Sequence, residues 1–163
     1  EYLAPELISC KGHGKAVDWW AASNLLYEML MGAAPFVFEN ANPDFSLPPT
    51  VLYQNILNPS FKFHLPSWLP GGAVDLIMRL FAFEPMFRLG NLAGGADDVR
   101  AHPFFVNVAF DWDALIAGTM EPPYKPKVKS ATDTANFEDA RDDPRFLDGP
   151  QYAHPPSMWD YDF

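Results

Sequence analysis

The feature that most constrains this sequence is the apolar stretch AVDWWAASNLLYEMLM at positions 16–31. A helix that is apolar nearly all round is usually buried at the centre of a domain. The stretch is too short to cross a bilayer, and Gly32, which can cap a helix, follows it directly. It therefore predicts a buried central helix. Its polar residues, which do not gather on one face of a helical wheel, are Asp18, Ser23, Asn24 and Glu28.

Proline and glycine residues divide the rest of the chain into shorter elements. Patterns typical of helices cover residues 4–10, 50–57, 71–83, 95–105 and 111–118. Alternating patterns typical of strands are absent, and no periodic pattern survives in the last part of the chain. The sequence predicts a mainly α-helical domain followed by a long extended tail.

Charge and composition argue against several classes of function. The last 31 residues, which begin at Asp133, carry eight acidic residues and two arginines, and thus −6 of the net charge of −10. Such a tail repels nucleic acid, while its aromatic residues favour docking on a basic surface. One cysteine and four scattered histidines argue against a disulfide framework and against a metal site. With no signal peptide in view, we expect a protein of the cytoplasm, and also of the nucleus, that has no membrane partner.

Five motifs occur in order along the chain: EYLAPELI, KAVDWWA, LLYEMLMGAAPF, FRLGN and HPFF. The A-P-E triplet belongs to the protein-kinase signature set, and the other motifs follow it at the spacing of that family. The chain therefore resembles the C-terminal lobe of an AGC-group protein kinase, and within that group the cAMP-dependent protein kinase catalytic subunit. The resemblance implies a fragment, with a kinase-like helical C-lobe at residues 1–118 and an AGC C-terminal tail at residues 119–163.

The resemblance gives structural roles to six residues. Glu6 ends the A-P-E motif and is expected to pair with Arg88 of FRLGN, since two buried charges are tolerated only as a hydrogen-bonded pair. The plain alternative is that Glu6 is an ordinary surface acid. Family members use the residue at Asp18 to hold the catalytic loop, and the one at Trp20 to pack against the activation segment. The six residues are Ala4, Pro5, Glu6, Asp18, Trp20 and Arg88.

Substrate binding is the functional task that the resemblance leaves to this chain. Glu1, Tyr2 and Leu3 match the loop that receives the residue after the phosphorylated one, with Leu3 lining an apolar pocket. Glu28 resembles a buried acid that binds an arginine two residues before the target hydroxyl, because a carboxylate can match a guanidinium with two hydrogen bonds. The alternatives are that Glu28 is only a polar residue at a helix end, and that Tyr2 is only a packing aromatic.

Several kinase motifs have no counterpart in the sequence. It lacks a Gly-rich loop, the lysine of the small lobe, an H-R-D catalytic loop and a D-F-G metal site. We therefore expect no catalytic residue and no metal ligand here. The resemblance implies that ATP and Mg²⁺ bind in the full-length parent and that the fragment alone binds neither and is inactive.

The tail resembles the arm that AGC kinases extend toward the nucleotide. Phe137 matches a tail aromatic near the adenine pocket, although Ala140 stands where the family has a tyrosine. The last residues resemble the AGC hydrophobic motif, with Asp162 at the step that many relatives phosphorylate. That motif comprises Met158, Tyr161, Asp162 and Phe163.

The favoured interpretation is the C-terminal part of a serine/threonine kinase that transfers the γ-phosphate of ATP to Ser or Thr in basic peptides. Its partners would be basic protein substrates and a possible regulatory subunit. Two alternatives stay open. One is a pseudokinase or scaffold, which Ala140 and Ser23 favour. Ser23 stands where the family pattern has glycine and is expected to crowd a helix contact. The other is a free-standing α-helical interaction domain.

Overall fold

The computed structural model describes residues 1–37 and 47–137. The chain divides into two units, Glu1–Thr119 and Met120–Phe163, each of which is treated by itself below. Every regular element of the described ranges is helical, which confirms the predicted mainly α fold. None of these helices is both long and apolar enough to span a membrane. The elements are α1 Pro5–Ile8, α2 Ala16–Met31, α3 Pro49–Ile56, α4 Gly71–Leu80, the 3-10 helix Pro85–Phe87, α5 Ala96–Arg100, α6 Pro103–Val106 and α7 Trp112–Ile116.

Proline sets the start of three of these helices. Pro5, Pro49 and Pro103 occupy the first position of α1, α3 and α6. The ring fixes φ near its helical value, and the missing N–H would have had no partner within the helix. Pro103 also divides the predicted helix over 95–105 into α5 and α6. That prediction of a single helix is wrong, because a proline in the interior would remove a helical hydrogen bond.

Helix α2 ends where the sequence predicts. Gly32 follows it in the left-handed region at φ +78°, and the Gly32 N–H donates to the Glu28 carbonyl at 2.7 Å. The prediction that the helix is buried all round is wrong. Trp20 and Tyr27 are buried on one face, while Leu25 and Met29 are 49% and 68% exposed on another.

Aromatic side chains form the centre of the core of the first unit. Trp20 of α2 stacks on Phe36 with ring centroids 5.6 Å apart, and it meets the edge of Phe81 at 4.9 Å. Phe63 in turn stacks on Phe81 at 4.8 Å. A smaller aliphatic cluster, formed by Leu76, Leu80, Leu89 and Val99, packs α4 against α5 and the turn after the 3-10 helix. Burial of such rings is a large share of the stability of a domain this size.

His102 is a buried core histidine. Its Nδ1 accepts the Phe104 N–H at 3.2 Å and so caps α6. Its Nε2 lies 2.9 Å from the Asp75 carboxylate on α4. With Nδ1 as the acceptor, Nε2 is the ring nitrogen that can donate to Asp75. The residue thus ties α6 to α4.

Ser23 forms an unexpected contact at the position where crowding was predicted. Its side chain is fully buried, and Oγ donates to the Ile77 carbonyl of α4 at 3.1 Å. That carbonyl also accepts the Phe81 N–H at 2.9 Å. The serine therefore adds a hydrogen bond between α2 and α4, and it no longer supports the scaffold hypothesis.

The hydrogen bond from Ser23 to Ile77 predicts the effect of replacing Ser23 with the glycine of the family pattern. Ser23→Gly is expected to lower the free energy of unfolding by about 1–2 kcal/mol, since it removes one hydrogen bond and places glycine inside a helix. Urea denaturation followed by tryptophan fluorescence measures the change, with Ser23→Ala separating the hydrogen bond from the helix propensity. A more stable glycine variant would instead mean that Ser23 crowds the contact.

Residues 120–137 of the second unit carry no helix or strand. Their local order comes from Asp133, whose carboxylate accepts the Lys129 N–H at 2.7 Å and the Ala135 N–H at 2.9 Å. Phe137 is 77% exposed. Two subjects of prediction lie outside the described residues: Ala140 and the hydrophobic motif at 158–163.

Candidate functional site

The candidate site joins the first residues of the chain to the end of α2. The Tyr2 hydroxyl donates to Glu28 Oε2 at 2.5 Å, across 26 positions of sequence. Glu28 is half-buried, so its carboxylate is not the fully buried one that the sequence predicted. Tyr2 is 38% exposed. One carboxylate oxygen is thus held by the tyrosine in a part of the molecule that solvent reaches.

The environment of Tyr2 keeps its hydroxyl protonated. The pKa of Tyr2 is raised above its usual value, first because the hydroxyl donates to Glu28, and then through partial desolvation and the negative charges of Glu28 and Glu1. A tyrosine whose pKa is raised stays a donor throughout the neutral range. Tyr2 is therefore a hydrogen-bond donor to Glu28.

A buried ion pair fixes the segment that carries Tyr2. Arg88 is fully buried, and its Nη1 and Nη2 donate to the two oxygens of Glu6 at 2.7 and 3.2 Å. The remaining N–H groups of the guanidinium donate to the carbonyls of Ala16, Ala82 and Phe83 at 2.8 to 3.2 Å. All five donors of the arginine are thereby satisfied, which is the condition for burying such a charge. The pairing that the resemblance implied is present.

The partners of Arg88 show what the pair holds together. Glu6 lies on α1, Ala16 begins α2, and the other two carbonyls precede the 3-10 helix. Burial by itself raises the pKa of Glu6, but its hydrogen bonds with Arg88 and the backbone, together with the charges of Arg88 and His13, outweigh burial and lower that pKa. The carboxyl is therefore ionised at neutral pH. The ion pair anchors residues 1–6 against α2, which brings Tyr2 within reach of Glu28.

The remaining predicted residues fall in three places. Ala4 and Trp20 are buried in the same core cluster, and the Arg88 guanidinium lies 5.1 Å over the Trp20 ring. Asp18 is exposed in the first turn of α2, and its side chain accepts no hydrogen bond from any described residue. Leu3 is 44% exposed, so its apolar pocket stays a prediction.

Sequence reasoning missed one contact that shapes this region. A Cβ built on Gly90 would lie 2.3 Å from atoms of the Trp19 indole, and Gly90 has a φ of +88°. The glycine of FRLGN thus allows the turn after Arg88 to approach α2. A glycine placed two residues after the paired arginine was the available signal, but sequence alone does not name its neighbour.

Across residues 1–37 and 47–137, three or more His, Cys, Asp or Glu side chains do not gather at any point. The site described here consists of the Glu28 carboxylate and the Tyr2 hydroxyl.

Comparison with known proteins identifies the family. The family described as Protein kinase domain matches residues 1–105. The human cAMP-dependent protein kinase catalytic subunit PRKX is 44% identical over 138 residues, which are 85% of this chain and 35% of that protein. The serine/threonine-protein kinase gad8 of Schizosaccharomyces pombe is 43% identical over 85% of this chain and 22% of its own length. Mouse protein kinase C eta type is 39% identical over 85% of this chain and 19% of its own length.

The chain belongs to the protein kinase domain family. Its relatives are AGC-group serine/threonine kinases, which confirms the group that the motifs predicted. The chain spans about a third or less of the length of these relatives.

Proposed function

We propose that this chain is the peptide-binding part of an AGC-group serine/threonine kinase that phosphorylates Ser or Thr in basic sequences. The observation that supports this function is the hydrogen bond from Tyr2 to a half-buried Glu28. A carboxylate held in place at a solvent-accessible site suits a guanidinium, because charge-assisted hydrogen bonds are about twice as strong as neutral ones. The free oxygen of Glu28 is the acceptor for the substrate arginine.

The neighbouring residues fit the same task. Glu1 adds a second negative charge near the Tyr2 hydroxyl, which favours a cationic peptide. Leu3 offers an exposed apolar side chain to the residue that follows the target hydroxyl. The Glu6–Arg88 pair gives rigidity to the segment that carries Tyr2, since Glu6 lies four residues after it.

The chemical step belongs to groups outside this chain. ATP and Mg²⁺ are general to the family, and the sequence has neither the phosphate-binding nor the metal-binding motifs that would hold them. The residues of this chain bind and orient the peptide. In the scaffold alternative the same surface binds basic partners, and the complete protein transfers no phosphate.

The proposed role of Glu28 predicts a change in peptide preference. In the complete protein that contains this chain, Glu28→Gln is expected to lower kcat/KM by about 30-fold, or about 2 kcal/mol, for peptides with arginine two residues before the serine. The kcat/KM for peptides with alanine at that position should change little, because alanine does not contact the carboxylate. The measurement is steady-state phosphorylation of the two matched peptides by the wild type and the variant.

Two further variants sharpen this test. Tyr2→Phe keeps the ring but removes the donor, and should cause a smaller loss that is also confined to the arginine peptide. Glu84→Gln removes an exposed carboxylate far along the chain and should leave both peptides unaffected. Equal losses for both peptides in Glu28→Gln would give Glu28 a structural role only.

A further inference from the structure

A lysine-rich segment of the second unit leads into an exposed serine. Lys125, Lys127 and Lys129 alternate with other residues, and Ser130 follows the last of them. All four side chains are exposed. Lys125 pairs with Glu121 at 2.6 Å, and no ion pair within the described ranges involves Lys127 or Lys129. Two cations with no ion pair among the described residues, Lys129 and Lys127, thus lie one and three positions before the Ser130 hydroxyl.

This context distinguishes Ser130 from the other described hydroxyl groups. Thr132 has a lysine three residues before it, but an acidic residue follows it directly, whereas Ser130 is followed by the small, apolar Ala131. The remaining described Ser and Thr residues have no lysine one or three positions before them. The Ser130 hydroxyl lies 3.4 Å from that of Thr132, a contact at the weak end of the hydrogen-bond range.

A turn centred on Asp133 encloses Ser130. The Asp133 carboxylate accepts the N–H groups of Lys129 and Ala135, and the Asp133 N–H donates to the Ser130 carbonyl at 3.2 Å. The first two hydrogen bonds, Lys129 before Ala135, also lower the pKa of Asp133. An ionised carboxylate therefore holds the backbone on both sides of the serine. An extended peptide conformation at Ser130 requires these bonds to break.

We propose that Ser130 is a phosphorylation site for a kinase that recognises lysine-rich sequences, and that its phosphate opens the Asp133 turn. In the modification step, the Ser130 oxygen attacks the γ-phosphorus of the MgATP that the modifying kinase holds. The bond from that phosphorus to the ADP oxygen breaks, and the hydroxyl proton passes to solvent. The products are phosphoserine, ADP and one proton.

The charges around the turn determine what the phosphate does. A phosphoserine adds about 1.5 to 2 negative charges and three strong acceptor oxygens. Its nearest cations in sequence are Lys127 and Lys129, which are available for new ion pairs. Its nearest anion in sequence is Asp133, three residues away, whose carboxylate accepts the backbone N–H of Lys129 and is repelled by the phosphate. The modified serine thus weakens the turn that the unmodified chain forms.

The test uses the complete chain as a substrate, with MgATP and the human catalytic subunit PRKX as the added kinase. A batch of PRKX that phosphorylates a reference peptide with lysines one and three residues before its serine is used throughout, so the result does not depend on what this chain itself catalyses. Mass spectrometry is expected to locate one phosphate at Ser130, and Ser130→Ala is expected to remove it. Phosphate that is absent, or that is found on other residues, would overturn the proposal.

Matched variants test the two physical causes. Replacing Lys127 and Lys129 with glutamine should slow the reaction at least fivefold, whereas the same change at the exposed Lys11 and Lys15 should not. Equal rates for the two double variants would contradict recognition through the lysines.

The turn has a test of its own. Asp133→Ala should raise the rate of phosphorylation about fivefold, since the turn no longer resists extension. Asp98→Ala is the control, because Asp98 also accepts a backbone N–H, from Gly94, but lies in the first unit. Hydrogen exchange of the Lys129 and Ala135 amides should speed up after modification, and unchanged exchange would show that the phosphate leaves the turn closed.

Discussion

Arg88→Met is expected to lower the free energy of unfolding of this chain by about 3–5 kcal/mol, which is a large part of the total for most domains. The variant leaves the Glu6 carboxylate buried without its cation. It also removes the donors of three carbonyls, those of Ala16, Ala82 and Phe83. An unpaired buried charge costs far more than the loss of one hydrogen bond.

Urea denaturation at one fixed protein concentration, followed by tryptophan fluorescence, measures this loss. Arg79→Met is the matched control, because Arg79 forms an ion pair with Asp75 in which the side chains are 59% and 47% exposed. Exposed pairs of this kind contribute about 0–1 kcal/mol. The control should therefore unfold close to the wild type.

A double variant distinguishes the charge from the packing. Changing Glu6 to Gln together with Arg88→Met removes the stranded carboxylate charge and should recover part of the lost stability. Arg88→Lys should remain strongly destabilised, because an ammonium cannot reproduce five donors in a planar fork. A midpoint for Arg88→Met equal to that of the wild type would contradict the anchoring role of the pair.

The second large effect is expected at Gly90. Gly90→Ala should lower the free energy of unfolding by about 2–5 kcal/mol, since a left-handed backbone costs about 1–2 kcal/mol and an overpacked contact about 1–3 kcal/mol. The added Cβ would lie 2.3 Å from atoms of the Trp19 indole. These atoms belong to a rigid ring and are not the far end of a flexible side chain. Either the turn after Arg88 or the indole has to move.

Gly118 provides the matched control for this variant. It has a similar backbone conformation, with φ at +67°, but a Cβ there would meet no atom within 4 Å. Gly118→Ala thus measures the backbone cost alone, and the difference between the two variants reports the Trp19 contact. If both substitutions cost the same, the close approach of Gly90 to Trp19 contributes nothing to stability.

Local patterns predicted most of the helical elements. The bounds of α2 follow from its apolar run and from Gly32, and α4 follows from a stripe of apolar residues at helical spacing. The division between α5 and α6 was missed because residues 95–105 are locally compatible with one helix until Pro103 is placed at a helix start. The exposed face of α2 was missed for another reason. Composition shows how apolar a helix is, but not which side has neighbours.

Most of the helices, the end of α2 and the kinase family could therefore be predicted from the sequence, since these depend on residues close together or on ordered motifs. The tertiary structure alone decided which distant groups meet. Tyr2 reaches Glu28 across 26 positions, and Gly90 lies against Trp19. A hydrogen bond or a packed contact requires atoms within about 3–4 Å, a condition that only the folded chain satisfies. Glu6 and Arg88 stand between these cases: the motifs implied their pairing, but only the fold showed all five donors of the arginine satisfied.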